Sequence, residues 1–254
     1  MNCRDQQQVL TNFQQDGYAQ LPAFLDNSTI KEVEQQLQRF IATTVPSLPT
    51  DQVFFENKQD QNTLKQIQHL ELHDNWFHKL FTDSPFRQLA ETLLGGGCVP
   101  MNLQYFNKPP KASKPTPPHQ DGYYFMITPC EAVTMWLALD NVDEENGCIR
   151  YLGGSHRLGL LPHARTKTLG FSQGIDDYFR HCDTKSEEPI HASAGDLLAH
   201  HAMTVHRADA NESSTRQRRA IGFIYYSTKA KQDIAAHSAY QERLKREMTD
   251  TNRI

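Results

Sequence analysis

The spacing of apolar positions changes once along the chain. Up to about residue 97 apolar residues recur at helical spacing. Ile30, Val33, Leu37 and Ile41 fall on one face. Thr29 and Glu32 have the form of a capping box that would open that helix. Ser84-Pro85 reads as an N-cap with proline at the first helical position, Phe86, Leu89 and Leu93 line the face behind it, and Gly95-Gly96-Gly97 ends it. Beyond Cys98 the period drops to two. Met101, Leu103 and Tyr105 alternate with Asn102, Gln104 and Phe106, and further strands are expected over 132–139, 148–152, 196–203 and 219–226. Turn signals such as Glu144-Glu145-Asn146-Gly147 and Gly153-Gly154-Ser155 separate them. Residues 156–190 carry few regular signals and are expected to form an insertion or lid. Residues 238–248 predict a C-terminal helix.

Short strands with long and short connections predict a mainly β fold with flanking α-helices, a jelly roll of the cupin-like kind. The expected organisation is one domain over residues 1–254, with a helical part to about 97, a jelly-roll core over about 98–227, and the terminal helix. With 26 basic and 30 acidic residues, the net charge of −4 gives no basic excess for nucleic acid or an anionic membrane. The start of the chain is polar, without the apolar stretch of a signal peptide, and the apolar run 132–139 is far too short to cross a bilayer. Five cysteines without a C-x-x-C pair are expected to be free thiols in a reducing cytoplasm. No glycine-rich nucleotide fingerprint and no G-x-S-x-G elbow is present.

The candidate chemistry lies in Pro117-Pro118-His119-Gln120-Asp121-Gly122, with His206 far downstream. Two imidazoles and one carboxylate form a facial ligand set for Fe(II) that leaves adjacent positions open, though Mn(II) or Zn(II) would also be held. On a strand, residues i and i+2 share a face, so His119 and Asp121 can grip one ion while Gln120 points aside. His206 would close the site from the facing sheet. His200 and His201 compete with it as third ligand.

Several segments resemble the phytanoyl-CoA dioxygenase family of Fe(II)/2-oxoglutarate oxygenases. They are Phe13-Gln14-Gln15-Asp16-Gly17-Tyr18, Asn107-Lys108-Pro109-Pro110 leading to Pro118-His119-Gln120-Asp121, the run from Asp143 to Arg157, and Gly195-Asp196-Leu197-Leu198. The resemblance spans most of residues 10–227 in the expected order. It implies a double-stranded β-helix, with Fe(II) held by His119, Asp121 and His206 and with 2-oxoglutarate and O2 as cosubstrates. Arg218 would pair with the distal carboxylate of 2-oxoglutarate, since a guanidinium fork matches a carboxylate. Arg219 is its rival, because a one-residue slip reverses the face. Trp136, Gln104 and Lys65 match further cosubstrate positions. One departure stands out. The family's His-Gly-Ser-Gly is here His206-Arg207-Ala208-Asp209, so a hydroxyl near the cosubstrate is lost at Ala208. Retention of Asp121 favours hydroxylation over halogenation.

The implied reaction hydroxylates an unactivated C–H bond and releases succinate and CO2. The density of cations beside the motif predicts a small, anionic substrate. Tyr123, Arg157 and His163 are its candidate contacts, together with Tyr124, Arg165 and the lysines at 108, 111 and 114. Two competing readings remain: a cupin-like Zn or Mn hydrolase or isomerase, and a non-catalytic jelly-roll binding protein. The first would not need Arg218, and the presence of all three ligand types and the candidate arginine argues against a degenerate site in the second.

Overall fold

The computed structural model describes residues 3–111, 113–168 and 171–250. Its largest sheet has seven strands in the order β1 (Tyr18–Leu21), β12 (Leu197–His201), β7 (Ala132–Ala138), β14 (Arg218–Ser227), β4 (Cys98–Lys108), β3 (Leu64–Ile67) and β2 (Val53–Phe55). A second sheet runs β11 (Glu187–Ile190), β8 (Ile149–Leu152), β13 (His206–Ala208) and β5 (Thr116–His119). Pairing is antiparallel in both. The sheets meet face to face, with Trp136, Ala138, Leu198 and Ala220 of one packed in a cluster with Ile149, Tyr151 and Ile190 of the other. This is the jelly roll.

Alternation along each strand decides what reaches the interior of the roll. On β4, Leu103 and Tyr105 join the large core under the helices, whereas Asn102, Gln104 and Phe106 line the cavity between the sheets. On β14, Ile221, Phe223 and Tyr225 take the helical side, and Arg218, Ile224 and Tyr226 take the cavity. β7 lies between β12 and β14 with all seven residues buried, so its sequence is apolar on both faces except at Thr134.

The outer face of the large sheet is covered by α1 (Cys3–Asp16), α2 (Asn27–Thr43), α3 (Leu70–His73), α4 (Asn75–Thr82) and α5 (Pro85–Leu94). α5 begins on Ser84 with Pro85 in its first turn and stops at Gly95, whose φ of 65° is left-handed, as the sequence predicts. Phe86 of α5 stacks on Phe223 at 3.9 Å between ring centroids. α2 differs from expectation. Its cap is Asp26, whose carboxylate accepts from the Thr29 N–H, so the helix starts before the Thr29–Glu32 pair. Aspartate at the cap supplies the acceptor that a later threonine would have supplied.

Two further expectations change. The segment 156–190 is not a lid: it holds the hairpin of β9 (His163–Thr168) and β10 (Phe171–Ile175), the short α7 (Tyr178–His181) and β11. The hairpin packs on β5 and its residues do not line the cavity. The C-terminal helix, α8 (Ile234–Asp250), is longer than predicted and lies over the cavity mouth, contributing His237, Tyr240 and Leu244 to its wall. No helix among the described residues is long and apolar enough to cross a membrane.

Candidate metal centre and cavity

His119 ends β5 and His206 begins β13, and the two stand directly opposite each other in the ladder between those strands. The second histidine therefore comes from the neighbouring strand of the same sheet, and not from the facing sheet. Asp121 is also off the strand: its φ of −58° and ψ of −35° are helical, and it leads into the short α6 (Gly122–Phe125). The H-x-D pair thus converges by a turn and not by strand periodicity. Gly122 permits that turn to pack closely, since a Cβ there would lie 2.3 Å from Cys130 Sγ and 3.3 Å from the Ala202 carbonyl. Gln120 is wholly buried and ties the loop down. Its amide donates to the Gly159 and Met203 carbonyls and accepts from the Leu161 N–H, while its own backbone N–H donates to His163 Nε2.

The three side chains offer ligand atoms that all lie within 4.8 Å of one another. Asp121 Oδ1 is 3.5 Å from His119 Nε2 and 3.8 Å from His206 Nε2. Each imidazole donates through Nδ1 to a carbonyl two residues back, Pro117 at 2.8 Å and Thr204 at 3.0 Å. Those bonds place the ring proton on Nδ1 and leave the Nε2 lone pairs facing Asp121, the tautomer a metal requires. The other carboxylate oxygen is held from behind. Asp121 Oδ2 accepts from Thr134 Oγ1 at 2.6 Å and from His200 Nε2 at 3.1 Å. The Tyr151 hydroxyl donates to His200 Nδ1 at 2.9 Å, so both His200 nitrogens are used. Oδ1 alone is left to meet an ion. Burial pushes the Asp121 carboxyl upward, but the histidines around it, with the bond from His200, override it and hold the group well below the usual carboxylate range. Burial, with the neighbouring histidines, holds His206 well below its ordinary value and so neutral. His201, the other rival ligand, points to the opposite face of β12, beside Phe13 and His156.

These groups open into a cavity of about 670 Å3 that Gln104, Trp136, Lys65 and Arg218 also line. Arg218 is 5% exposed, lies 5.2 Å from the Trp136 ring centroid, and has no ion-pair partner among the described residues. Its buried Nε has no acceptor, and burial lowers its pKa from 12.5 to about 10. A buried cation without a partner is costly and marks a place where a ligand's carboxylate would fit. Arg219 points outward to Asp140 and Glu34, and Arg216 pairs with Asp143 and Glu145. Lys65 pairs with Glu56 at 2.9 Å. Gln104 accepts from the Gln66 amide at 2.7 Å. Ala208 stands opposite Thr116 across the β13–β5 ladder, and both line the cavity. A threonine thus stands on the strand beside the position where Ala208 carries no hydroxyl.

The expected substrate contacts fare differently. Tyr123 stacks on His163 at 4.2 Å, and Arg157 donates to the Gln15 carbonyl; none of the three lines the cavity. Arg165, Lys111 and Lys114 are exposed and also lie off its wall. Tyr124 does line it, its ring 6.0 Å from His119 and its hydroxyl donating to the Gln173 carbonyl at 2.7 Å. Thr116, Thr134, Tyr151 and α8 carried no signal in the sequence, because only strand pairing and packing bring them to the site.

A family model described as Phytanoyl-CoA dioxygenase (PhyH) matches residues 13–220. The peroxisomal phytanoyl-CoA dioxygenase of Bos taurus is 29% identical over 171 residues, 63% of this chain and 49% of that protein. The chain thus spans about half the length of that relative. The probable alpha-ketoglutarate-dependent hypophosphite dioxygenase of Stutzerimonas stutzeri is 23% identical over 207 residues, 80% of this chain and 72% of that protein. Among solved structures, the epimerase SnoN in complex with Fe3+, alpha ketoglutarate and nogalamycin RO shares the fold. It has a TM-score of 0.71 and 24% identity, covering 93% of this chain and 90% of that one.

Proposed function

The chain belongs to the phytanoyl-CoA dioxygenase family of Fe(II)/2-oxoglutarate oxygenases, and from that premise we propose that it hydroxylates an unactivated C–H bond of a small molecule, releasing succinate and CO2. One observation carries the reading: a two-histidine, one-carboxylate cluster and an unpartnered buried arginine face the same cavity. A zinc hydrolase or isomerase would not need that arginine. His119, Asp121 and His206 would hold the metal. Arg218, braced by Trp136, would take the distal carboxylate of 2-oxoglutarate, with Gln104, Lys65 and Thr116 beside it. Bound there, Fe(II) and 2-oxoglutarate supply the oxidising chemistry that moves one oxygen atom of O2 to the substrate.

The protein's own part is orientation. Thr134 and His200 restrain Asp121 to one ligating oxygen, which keeps neighbouring coordination positions free. α8 over the mouth restricts entry of water. Of the cationic contacts expected for an anionic substrate, Arg157, Arg165 and His163 lie off the cavity wall and Lys108 lines it. Four free cysteines, at 98, 130, 148 and 182, fit a reducing compartment such as the cytoplasm.

The test is anaerobic reconstitution with Fe(II) and 2-oxoglutarate followed by O2, with succinate measured. His119→Ala should abolish succinate formation. Wild-type levels in that variant would refute the site. Mass analysis of the product separates hydroxylation, which adds an oxygen atom, from epimerisation, which adds none.

A further inference from the structure

The chemistry of the cavity wall identifies what kind of substrate it takes. Apart from Arg218, four cations among the described residues line the cavity; three are ion-paired, and the fourth, Lys108, stands opposite Arg218 across the β14–β4 ladder, on the cosubstrate side. Lys65 is paired with Glu56, and Arg207 with Glu187 and Asp209. Lys108 donates to the Lys114 carbonyl at 2.7 Å, and Lys245 of α8 pairs with Asp51 at 2.8 Å. An anionic group seated on the substrate side would compete with the carboxylates that already hold Lys65, Arg207 and Lys245. The rim carboxylates are also matched, Asp51 by Lys245 and Glu242 by Arg246 at 3.3 Å.

What remains on the substrate side is largely apolar. Tyr124, next to His119, meets Tyr240 of α8 edge-on at 6.4 Å, and Phe125 lies 4.9 Å from Tyr226. Met101 and Ile224 complete that wall. The Tyr124 hydroxyl is turned to Gln173. The Asn102 carbonyl oxygen is occupied by the His69 N–H and the Gln232 amide by the Phe125 carbonyl, so these polar groups have partners within the protein. The cavity of about 670 Å3 is shared with the cosubstrate position at Arg218, so the substrate takes the part between the metal ligands and α8.

We infer that the substrate is an uncharged, largely apolar molecule, seated in the cavity between the metal ligands and α8, and not a carboxylate, a phosphonate or a coenzyme A thioester. The inference rests on the reading of the site as an Fe(II)/2-oxoglutarate centre, because that reading assigns Arg218 to the cosubstrate.

The test uses two dyes with one ring system: N-phenyl-1-naphthylamine, which is neutral, and 1-anilinonaphthalene-8-sulfonate, which adds a sulfonate. Each is titrated by fluorescence into protein loaded anaerobically with Fe(II) and 2-oxoglutarate. The neutral dye should bind at least about tenfold tighter. Tyr240→Ser should weaken it. Leu244→Arg, which adds an unpaired cation on the cavity side of the exposed helix α8, should shift the preference toward the sulfonate. Equal or tighter binding of the sulfonate by the unaltered protein overturns the inference. So does neutral-dye binding that neither α8 variant changes, since the dye then lies elsewhere. The visible absorption of the Fe(II)–2-oxoglutarate chelate, recorded before dye is added, tests the other reading separately. A chelate that forms while the dye preference fails removes only the substrate class. No chelate, with the neutral dye still preferred, removes only the iron reading.

Discussion

Replacing Arg218 by Met should stabilise the cofactor-free protein and destroy its response to 2-oxoglutarate. Arg218 is 5% exposed and its pKa falls from 12.5 to about 10. That shift corresponds to roughly 3 kcal/mol spent on keeping the charge buried. Methionine removes this cost but forfeits the contact with Trp136, worth about 1–2 kcal/mol. The net gain is about 1–2 kcal/mol, which for a chain of this size raises Tm by roughly 2–8 °C. The sign follows from linkage. The folded pKa is depressed, so between pH of about 10 and 12.5 the unfolded chain binds more protons, and native stability rises with pH there. At neutral pH the whole cost is present. With 2-oxoglutarate at a hundredfold its Kd, the native protein gains about 2.7 kcal/mol and the variant gains nothing. The order of stability should therefore reverse when cosubstrate is added. Thermal unfolding of Mn(II)-loaded protein, with and without 2-oxoglutarate and under anaerobic conditions, measures both arms; Arg218→Lys is the charge-retaining control. A Met variant less stable than the native protein in both conditions would show that the fold itself compensates Arg218. Equal stabilisation of the two proteins by 2-oxoglutarate would show that the cosubstrate does not reach it.

Thr134→Val removes one of two bonds holding Asp121 Oδ2, and metal affinity should fall by about 10–100-fold; competition for Mn(II) measures this, and an unchanged affinity would count against the restraint. Thr116→Val should raise the KM for 2-oxoglutarate several-fold with kcat little changed, because the threonine faces Ala208 across the ladder; steady-state succinate assays decide it, and a loss confined to kcat would refute the assignment. Burial lowers His201 from 6.5 to about 4 while its Nδ1 accepts the Met203 N–H. Its stabilising contribution is thus complete above pH 6.5 and lost as pH falls toward 4. Urea unfolding across that window should show a slope that His201→Gln flattens, and identical slopes would exclude His201 as its source.

The resemblance and the H-x-D motif were legible because they are local: His119, Gln120 and Asp121 are contiguous, and the alternation on β4 and β14 follows from bond geometry. That alternation also separates Arg218 from Arg219, once the strand is known to place Ala220, Gly222 and Ile224 on the cavity side. Less was legible where contacts are distant in the chain. Thr134 and Tyr151 read as ordinary strand residues, and α8 as a polar terminal helix. The cation-rich stretch around the motif predicted an anionic substrate, yet those side chains are exposed or engaged by the protein itself.

Residue types and short-range spacing pointed to the class of fold and the ligand types, because these depend on covalent order and on the period of strand and helix, and the family resemblance added the candidate cosubstrate cation. Only the tertiary structure decided which histidine joins the pair, which oxygen of Asp121 is free, which residue stands opposite Ala208, and which charges the cavity presents. Those depend on strand pairing and on which ion pairs close, and both bring together groups that lie up to about two hundred residues apart, as Asp51 and Lys245 do.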